Sequence, residues 1–343
     1  MKPKLIIACS ENDGNLFYAT GFLAPDEFIF LEIGGKRIVF INDMEFSRAQ
    51  TEATVDEVIN TLSLPKQYAT TLEWIVSEKK INEIVVPENF AIKYAEDLRK
   101  LGVKIEVKSG EYFSQREVKS QTERNDIKAT QKVNDRAMAA AIEILRKSEI
   151  RKDGKLEYGS KILTSEFMKE IIGIEFLRGG CRSEMDIVAS GWQSAQPHNS
   201  GSGPLFAHQP IVIDLFPRSI KNRYYADMTR TVVRGKASEK VRKIYDIVLK
   251  VQKTSLKNVR AGIKISSLEK EARKCFDTAG YKTQLDGKIS QGFIHILKPG
   301  SVITIEPGLY YPGIGGVRIE DMVLVKEGGC ENLTKSPKIL EIK

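Results

Sequence analysis

Four carboxylates stand inside strongly apolar, strand-like runs in the second half of this chain. They are Asp214 in IVIDLF, Asp227 in YYADMTRTVV, Glu306 in SVITIEPGLYY and Glu320 in GGVRIEDMVLV. Burying one unpaired carboxylate costs on the order of several kcal/mol. Four together raise one another's pKa until protons neutralise them. Divalent cations placed between the carboxylates remove both penalties, so the pattern points to a metal site. The competing arrangement is simple ion pairing, Asp227 with Arg230 and Glu320 with Arg318.

Strands are the elements that must carry these acids. Alternation puts Tyr225, Asp227, Thr229 and Thr231 on one face of a strand. Asp214 and Asp227 are 13 residues apart, which suits adjacent strands joined by the polar loop FPRSIKNR. Glu306 and Glu320, 14 apart around PGIGG, are expected on paired strands as well. Gly313, Gly315 and Gly316 then read as a wide hairpin rather than a nucleotide loop, because strands flank them on both sides.

Further upstream, strand and helix signals alternate over the first 110 or so residues: LIIAC, EFIFLEI, RIVFI, EIVVP and KIEVK as strands. Gly34-Gly35 is a hairpin turn. Thr54-x-x-Glu57 and Thr70-x-x-Glu73 are capping boxes expected to open two helices. This half shows no catalytic constellation. From Gln121 to Ser148 the pattern becomes one long helix, with Ile127, Thr130, Val133, Ala137, Ala141, Ile144 and Leu145 at helical spacing. Helices are also expected at LTSEFMKEIIGI, at EKVRKIYDIVLKVQKTSLKNV, and from Ser266-x-x-Glu269 through Cys275, closed by Gly280. The boundary therefore falls near 115–125, giving domains 1–120 and 121–343.

Composition narrows the class. At 343 residues, 41% hydrophobic and 29% charged, the chain can build two globular cores. No run reaches the roughly 18 apolar residues of a membrane span. The start MKPKLIIACS has too short an apolar stretch for a signal peptide, and Leu5 to Ala8 read as the first buried strand. Four dispersed cysteines without CxxC spacing indicate reduced thiols and a cytoplasmic setting. The net charge of +8, from 53 basic and 45 acidic residues, is spread along the chain, so no nucleic-acid surface is expected.

The strings VASGWQSAQPHNSGSG, IVIDLFPRS, YYADMTRTVV and VITIEPGLYYPGIGGVRIEDMVLV together resemble the creatinase/aminopeptidase-P/prolidase family, the pita-bread metallopeptidases that cleave Xaa-Pro bonds. The resemblance covers nearly the whole chain. It implies an α+β architecture, a small N-terminal α/β domain followed by a pita-bread catalytic domain. It also implies two divalent ions, Mn, Co or Zn, ligated by Asp214, Asp227, Glu306 and Glu320, with Asp227 and Glu320 bridging. Glu306 would shuttle the proton, His198 and His295 would hold the substrate or the oxyanion, and Arg318 would support the ligands and face the substrate. The implied substrate is a peptide with proline at the second position, and the implied assembly a homodimer. His208 has no family role and reads as a surface or turn residue.

One departure stands out. The family has a stretch F-x-H-x-x-G-H-G-x-G followed by an H-E pair before TIEPG, which brings a fifth ligand and a second histidine. Here GFIH runs directly into ILKPG, and the chain has only three histidines. His295 matches the first, non-ligating histidine, and Lys298 falls near the missing ligand's place, where a cation is a poor substitute for imidazole. Two readings follow. The abrupt join, with everything around it intact, suggests a loop omitted from the sequence. The alternative is a true loss, giving a non-catalytic or metal-free creatinase-like protein.

Overall fold

The computed structural model describes residues 2–281 and 295–343. It divides into two compact units, Met1–Arg116 and Glu117–Lys343. The first is built on a six-stranded mixed sheet in the order Glu57–Asn60, Lys36–Ile41, Glu27–Ile33, Lys4–Cys9, Glu83–Pro87, Lys104–Lys108. The opening strand Lys4–Cys9 buries Leu5 and Ile6 almost completely. Gly34 and Gly35, with φ of 58° and 80°, make the tight turn between strands Glu27–Ile33 and Lys36–Ile41, where both residues need the left-handed region. Helices Gly14–Thr20, Asp43–Glu52, Thr71–Glu78 and Ile92–Lys100 cover the sheet.

Thr70 caps its helix, its hydroxyl accepting from the Glu73 N–H at 3.1 Å. The Thr54 box opens no helix. Glu57–Asn60 instead pairs in parallel with Lys36–Ile41, Val58 opposite Val39, so sheet pairing of a β-branched run overrides the local capping signal. The helix before it, Asp43–Glu52, is capped by Asn42.

In the second unit the long helix runs Gln121–Lys147, and Ser120 and Glu123 form the reciprocal capping box that starts it. Its apolar face, with Val133, Ala137, Met138, Ala141 and Leu145, packs on helix Ser165–Arg178 and on strands Ile211–Leu215 and Met228–Arg234. Those two strands pair antiparallel, with Ile187–Ser190 on the other flank and Glu341–Ile342 closing the sheet. Beyond lie a three-stranded sheet, Val302–Ile305, Asp321–Lys326 and Gly329–Asn332, and the hairpin Gly308–Tyr311 with Gly315–Arg318. Helices Glu239–Asn258 and Ile265–Thr278 pack on this half. The latter begins at Ile265 with no side-chain cap, so Ser266 lies inside it rather than opening it.

All four cysteines are unbridged. No described helix is long and apolar enough to cross a membrane.

Candidate metal centre

Asp214 lies within a central strand, its registered neighbours being Ile187 on one side and Thr229 on the other. The other three acids sit at strand ends rather than inside strands. Asp227 immediately precedes Met228–Arg234, Glu306 follows Val302–Ile305, and Glu320 separates Gly315–Arg318 from Asp321–Lys326. The ladder pairs Ile305 with Asp321 and resumes at Gly308 with Arg318. Pro307, lacking an N–H, interrupts it at the level of Glu306 and Glu320. The Glu320 N–H turns instead to the Thr229 carbonyl on the neighbouring sheet, at 3.1 Å. Thr231 Oγ1 adds a second stitch, donating to the Arg318 carbonyl at 2.9 Å and accepting the Arg318 N–H at 3.0 Å.

This stitching brings oxygens of Asp214, Asp227 and Glu320 within 4.8 Å of one another. Asp214 is 9% and Glu320 2% exposed, Asp227 is half-buried and Glu306 exposed. Glu306 accepts from Thr304 Oγ1 at 3.1 Å, and its charge acts on both Asp227 and Glu320. Arg318 Nη2 donates to Asp214 Oδ2 at 2.6 Å, Nε to Thr229 Oγ1 at 3.1 Å, and Nη1 to Tyr310 OH at 2.8 Å and the Pro197 carbonyl at 3.1 Å. Thr229 Oγ1 in turn donates to Glu320 Oε2 at 2.7 Å.

Neither sequence-adjacent ion pair forms. Arg230 pairs with Asp321 at 2.9 Å, and Arg318 with Asp214 rather than Glu320. Among the described residues, Asp214 alone of the four acids has a cationic partner. Burial, then the charges of Asp214 and Glu306, push Asp227 up to about 7. Burial, the Glu306 hydrogen bond and the Asp227 charge raise Glu320 well above the usual carboxylate range. Burial also raises Asp214, against the opposing pull of Arg318. Asp214 Oδ1 and Glu320 Oε1 are buried without a hydrogen-bond partner. Two such orphaned oxygens beside a third carboxylate fit a divalent cation, whose preferred donors are hard oxygens.

None of the three histidines is a member of this group. His198 is exposed and follows Pro197, whose carbonyl Arg318 holds. His295 is exposed, its carbonyl accepting the Ile265 N–H at 3.1 Å, and the segment Gly292–Ile294 before it lies outside the described residues. His208 occupies a turn at φ 64°, its Nδ1 accepting the Lys236 N–H at 3.0 Å. Lys298 pairs with Glu117 at 2.6 Å.

Sequence reasoning passed over three contributors. Thr229 shares Asp227's face in the alternation, a signal that was available. Tyr310 had none. The third is Ser194 Oγ, which accepts the Gly316 N–H at 2.9 Å and fastens the His198 segment to strand Gly315–Arg318. A Cβ on Gly316 would lie 1.9 Å from the Ser194 carbonyl oxygen, so the approach requires glycine.

Asp214, Asp227 and Glu320, gathered on stitched antiparallel strands with two oxygens unsatisfied, form a group able to hold a cation, and the comparisons supply the class. The model of metallopeptidase family M24 matches residues 125–327, more than half of the chain. The chain belongs to that family. An Xaa-Pro dipeptidase of Pyrococcus horikoshii is 28% identical over 344 residues, covering 95% of this chain and 92% of the relative. The prolidase structure from Pyrococcus furiosus superposes with a TM-score of 0.82 at 25% identity, covering 98% and 97% of the two chains. The X-Pro aminopeptidase structure from Thermotoga maritima gives 0.83 at 25% identity, covering 100% and 98%.

Proposed function

We propose that this chain hydrolyses Xaa-Pro bonds in dipeptides or short peptides with proline second, using two divalent cations held by Asp214, Asp227, Glu306 and Glu320. The observation that carries the reading is the pair of orphaned buried oxygens, Asp214 Oδ1 and Glu320 Oε1, in a member of family M24. Two unsatisfied carboxylate oxygens beside a third carboxylate are what a cation site needs and what a metal-free scaffold does not require.

When bound, the cations lower the pKa of water and polarise the peptide carbonyl. The protein's own part is positional. Arg318 fixes Asp214 through one oxygen and leaves the other facing the cluster. Thr229 orients Glu320 by holding Oε2. Glu306, exposed and near enough to Glu320 to raise its pKa, is assigned the proton transfer from water to the leaving imino nitrogen. His198, beside a carbonyl locked by Arg318, is assigned to substrate binding with Arg318, and His295 to the oxyanion. The unit Met1–Arg116 serves as the N-terminal domain and Glu117–Lys343 as the catalytic domain. A cytoplasmic homodimer completes the proposal, with light scattering as its test.

The decisive assay reloads metal-stripped protein with manganese or cobalt and supplies Gly-Pro, Ala-Pro and their tripeptide extensions. Cleavage of the dipeptides alone marks a dipeptidase, and cleavage of both marks an aminopeptidase. No cleavage of any sinks the reading.

A further inference from the structure

The donor atoms of the metal centre proposed above, on which this inference rests, are limited by how few histidines the chain has. The sequence contains three histidines, and residues 282–294, outside the described part, contain none of them. No histidine or cysteine joins the 4.8 Å group of Asp214, Asp227 and Glu320 among the described residues. The connection from His295 to the strand bearing Glu306 is occupied by backbone pairing. The Leu297 N–H donates to the Ile263 carbonyl at 2.8 Å, the Gly262 N–H to the Leu297 carbonyl at 2.8 Å, and the Gly300 N–H to the Val325 carbonyl at 2.9 Å. Leu297 itself is 3% exposed, packed with Val259, Leu268 and Val325. Lys298, the remaining nitrogen side chain there, is paired with Glu117. The shortened connection is thus a folded element that offers no imidazole.

We propose that the centre is an all-oxygen site, built from Asp214, Asp227, Glu306 and Glu320, that takes hard cations such as manganese, magnesium or calcium and does not select zinc or cobalt. Imidazole donors favour zinc and its neighbours, whereas carboxylate and water ligands suit magnesium, calcium and manganese. Removing the nitrogen donor flattens the preference for zinc and leaves charge and oxygen number to decide. The orphaned oxygens of Asp214 and Glu320 are the donors already in place.

The test uses the full-length, metal-stripped protein with manganese as the probe. Equilibrium dialysis gives affinities for Mn2+ and Zn2+, and pulsed EPR of the bound manganese reads nitrogen coupling directly. Expected are saturable Mn2+ binding, no imidazole 14N coupling, and a Zn2+ affinity within about tenfold of that for Mn2+. Asp227→Asn and Glu320→Gln should each weaken Mn2+ binding by more than about tenfold, which locates the ion. A 14N signal that disappears in His198→Ala or His295→Ala overturns the all-oxygen assignment while leaving the metal centre intact. Absence of saturable binding by either ion, or binding indifferent to Asp227→Asn and Glu320→Gln, overturns the metal centre itself. Peptide mapping across the connection checks the premise: His295 followed directly by Ile296, Leu297 and Lys298 supports it, and extra residues between His295 and Glu306 would overturn it.

Discussion

Arg230 and Arg318 each ion-pair with a buried aspartate in the second unit, at 2.9 and 2.6 Å, but the two carboxylates live in opposite surroundings. Asp321 is fully buried and both its oxygens are satisfied. Arg230 Nη2 holds Oδ1, while Gln252 Nε2 at 2.9 Å, Asn332 Nδ2 at 2.7 Å and Lys338 Nζ hold Oδ2. Burial alone would raise its pKa, but Arg230, then Lys338 and Gln252, outweigh it and hold the carboxyl below the usual range. The remaining Arg230 donors reach the carbonyls of Thr229, Glu320, Ser336 and Pro337. Asp214 keeps one oxygen without a donor, lies among like charges and is raised. The first pair is saturated and braces the fold. The second keeps one acceptor unsatisfied.

The two sites are built back to back. Thr229 and Arg230 are successive residues, as are Glu320 and Asp321, and strand alternation sends one of each pair to the brace and the other to the acid cluster. Satisfying the brace therefore fixes where the cluster can be.

The largest expected effect is on the brace. Arg230→Ala leaves Asp321 and several carbonyls short of donors and should destabilise the metal-free protein by about 3–5 kcal/mol in urea denaturation. A loss below about 1 kcal/mol would show that the pair carries no structural role.

Next comes the open side. Asp227→Asn or Glu320→Gln should cut Xaa-Pro cleavage by at least about a hundredfold, beyond what loss of an outer partner produces. Each should leave the metal-free melting temperature unchanged or raised, since a repelling charge is removed. A drop in melting temperature like that of Arg230→Ala would erase the contrast between the two regions.

Thr229→Val tests the joint between them. It removes the hydroxyl that holds Glu320 while keeping the backbone, and should weaken metal affinity by roughly 10- to 100-fold without unfolding the protein. Unchanged affinity in calorimetric titration would make Thr229 a bystander.

The smallest effect is a pH dependence of opposite sign at the two sites. Asp227, raised from 3.8 to about 7, contributes stability that is fully present below the unfolded value and is lost as pH rises through about 7. Asp321, lowered, contributes stability present above 3.8 and lost as pH falls through its folded value. Metal-free protein should therefore melt lower at pH 8 than at pH 6, and bound cations should reduce that decline. Calorimetry in buffers of different ionisation enthalpy should also find protons released on metal binding below pH 7. A metal-free melting temperature that rises from pH 6 to 8 would contradict the acid cluster.

How much of this could be read from the letters depends on range. The apolar runs around Asp214, Asp227, Glu306 and Glu320 were visible, as was the helix beginning at Gln121, because local periodicity carries both. The ion pairs were not. Arg230 stands three residues from Asp227 and Arg318 two from Glu320, so adjacency favoured those partners, whereas the real ones lie 91 and 104 residues away across sheets. The strand breaks at Asp227, Glu306 and Glu320 were hidden for a related reason. Pro307 signals an interruption, but only the neighbouring sheet reveals that Glu320 bonds to Thr229.

The glycine at 316 has a consequence for anyone altering the loop that carries His198. The loop before it is anchored at two points, Ser194 and the Pro197 carbonyl, while Trp192 is 66% exposed and His198 is exposed as well. Both side chains can therefore vary without unseating the anchors. A single methyl at position 316 would lever the whole loop, and with it the arginine that steadies Asp214.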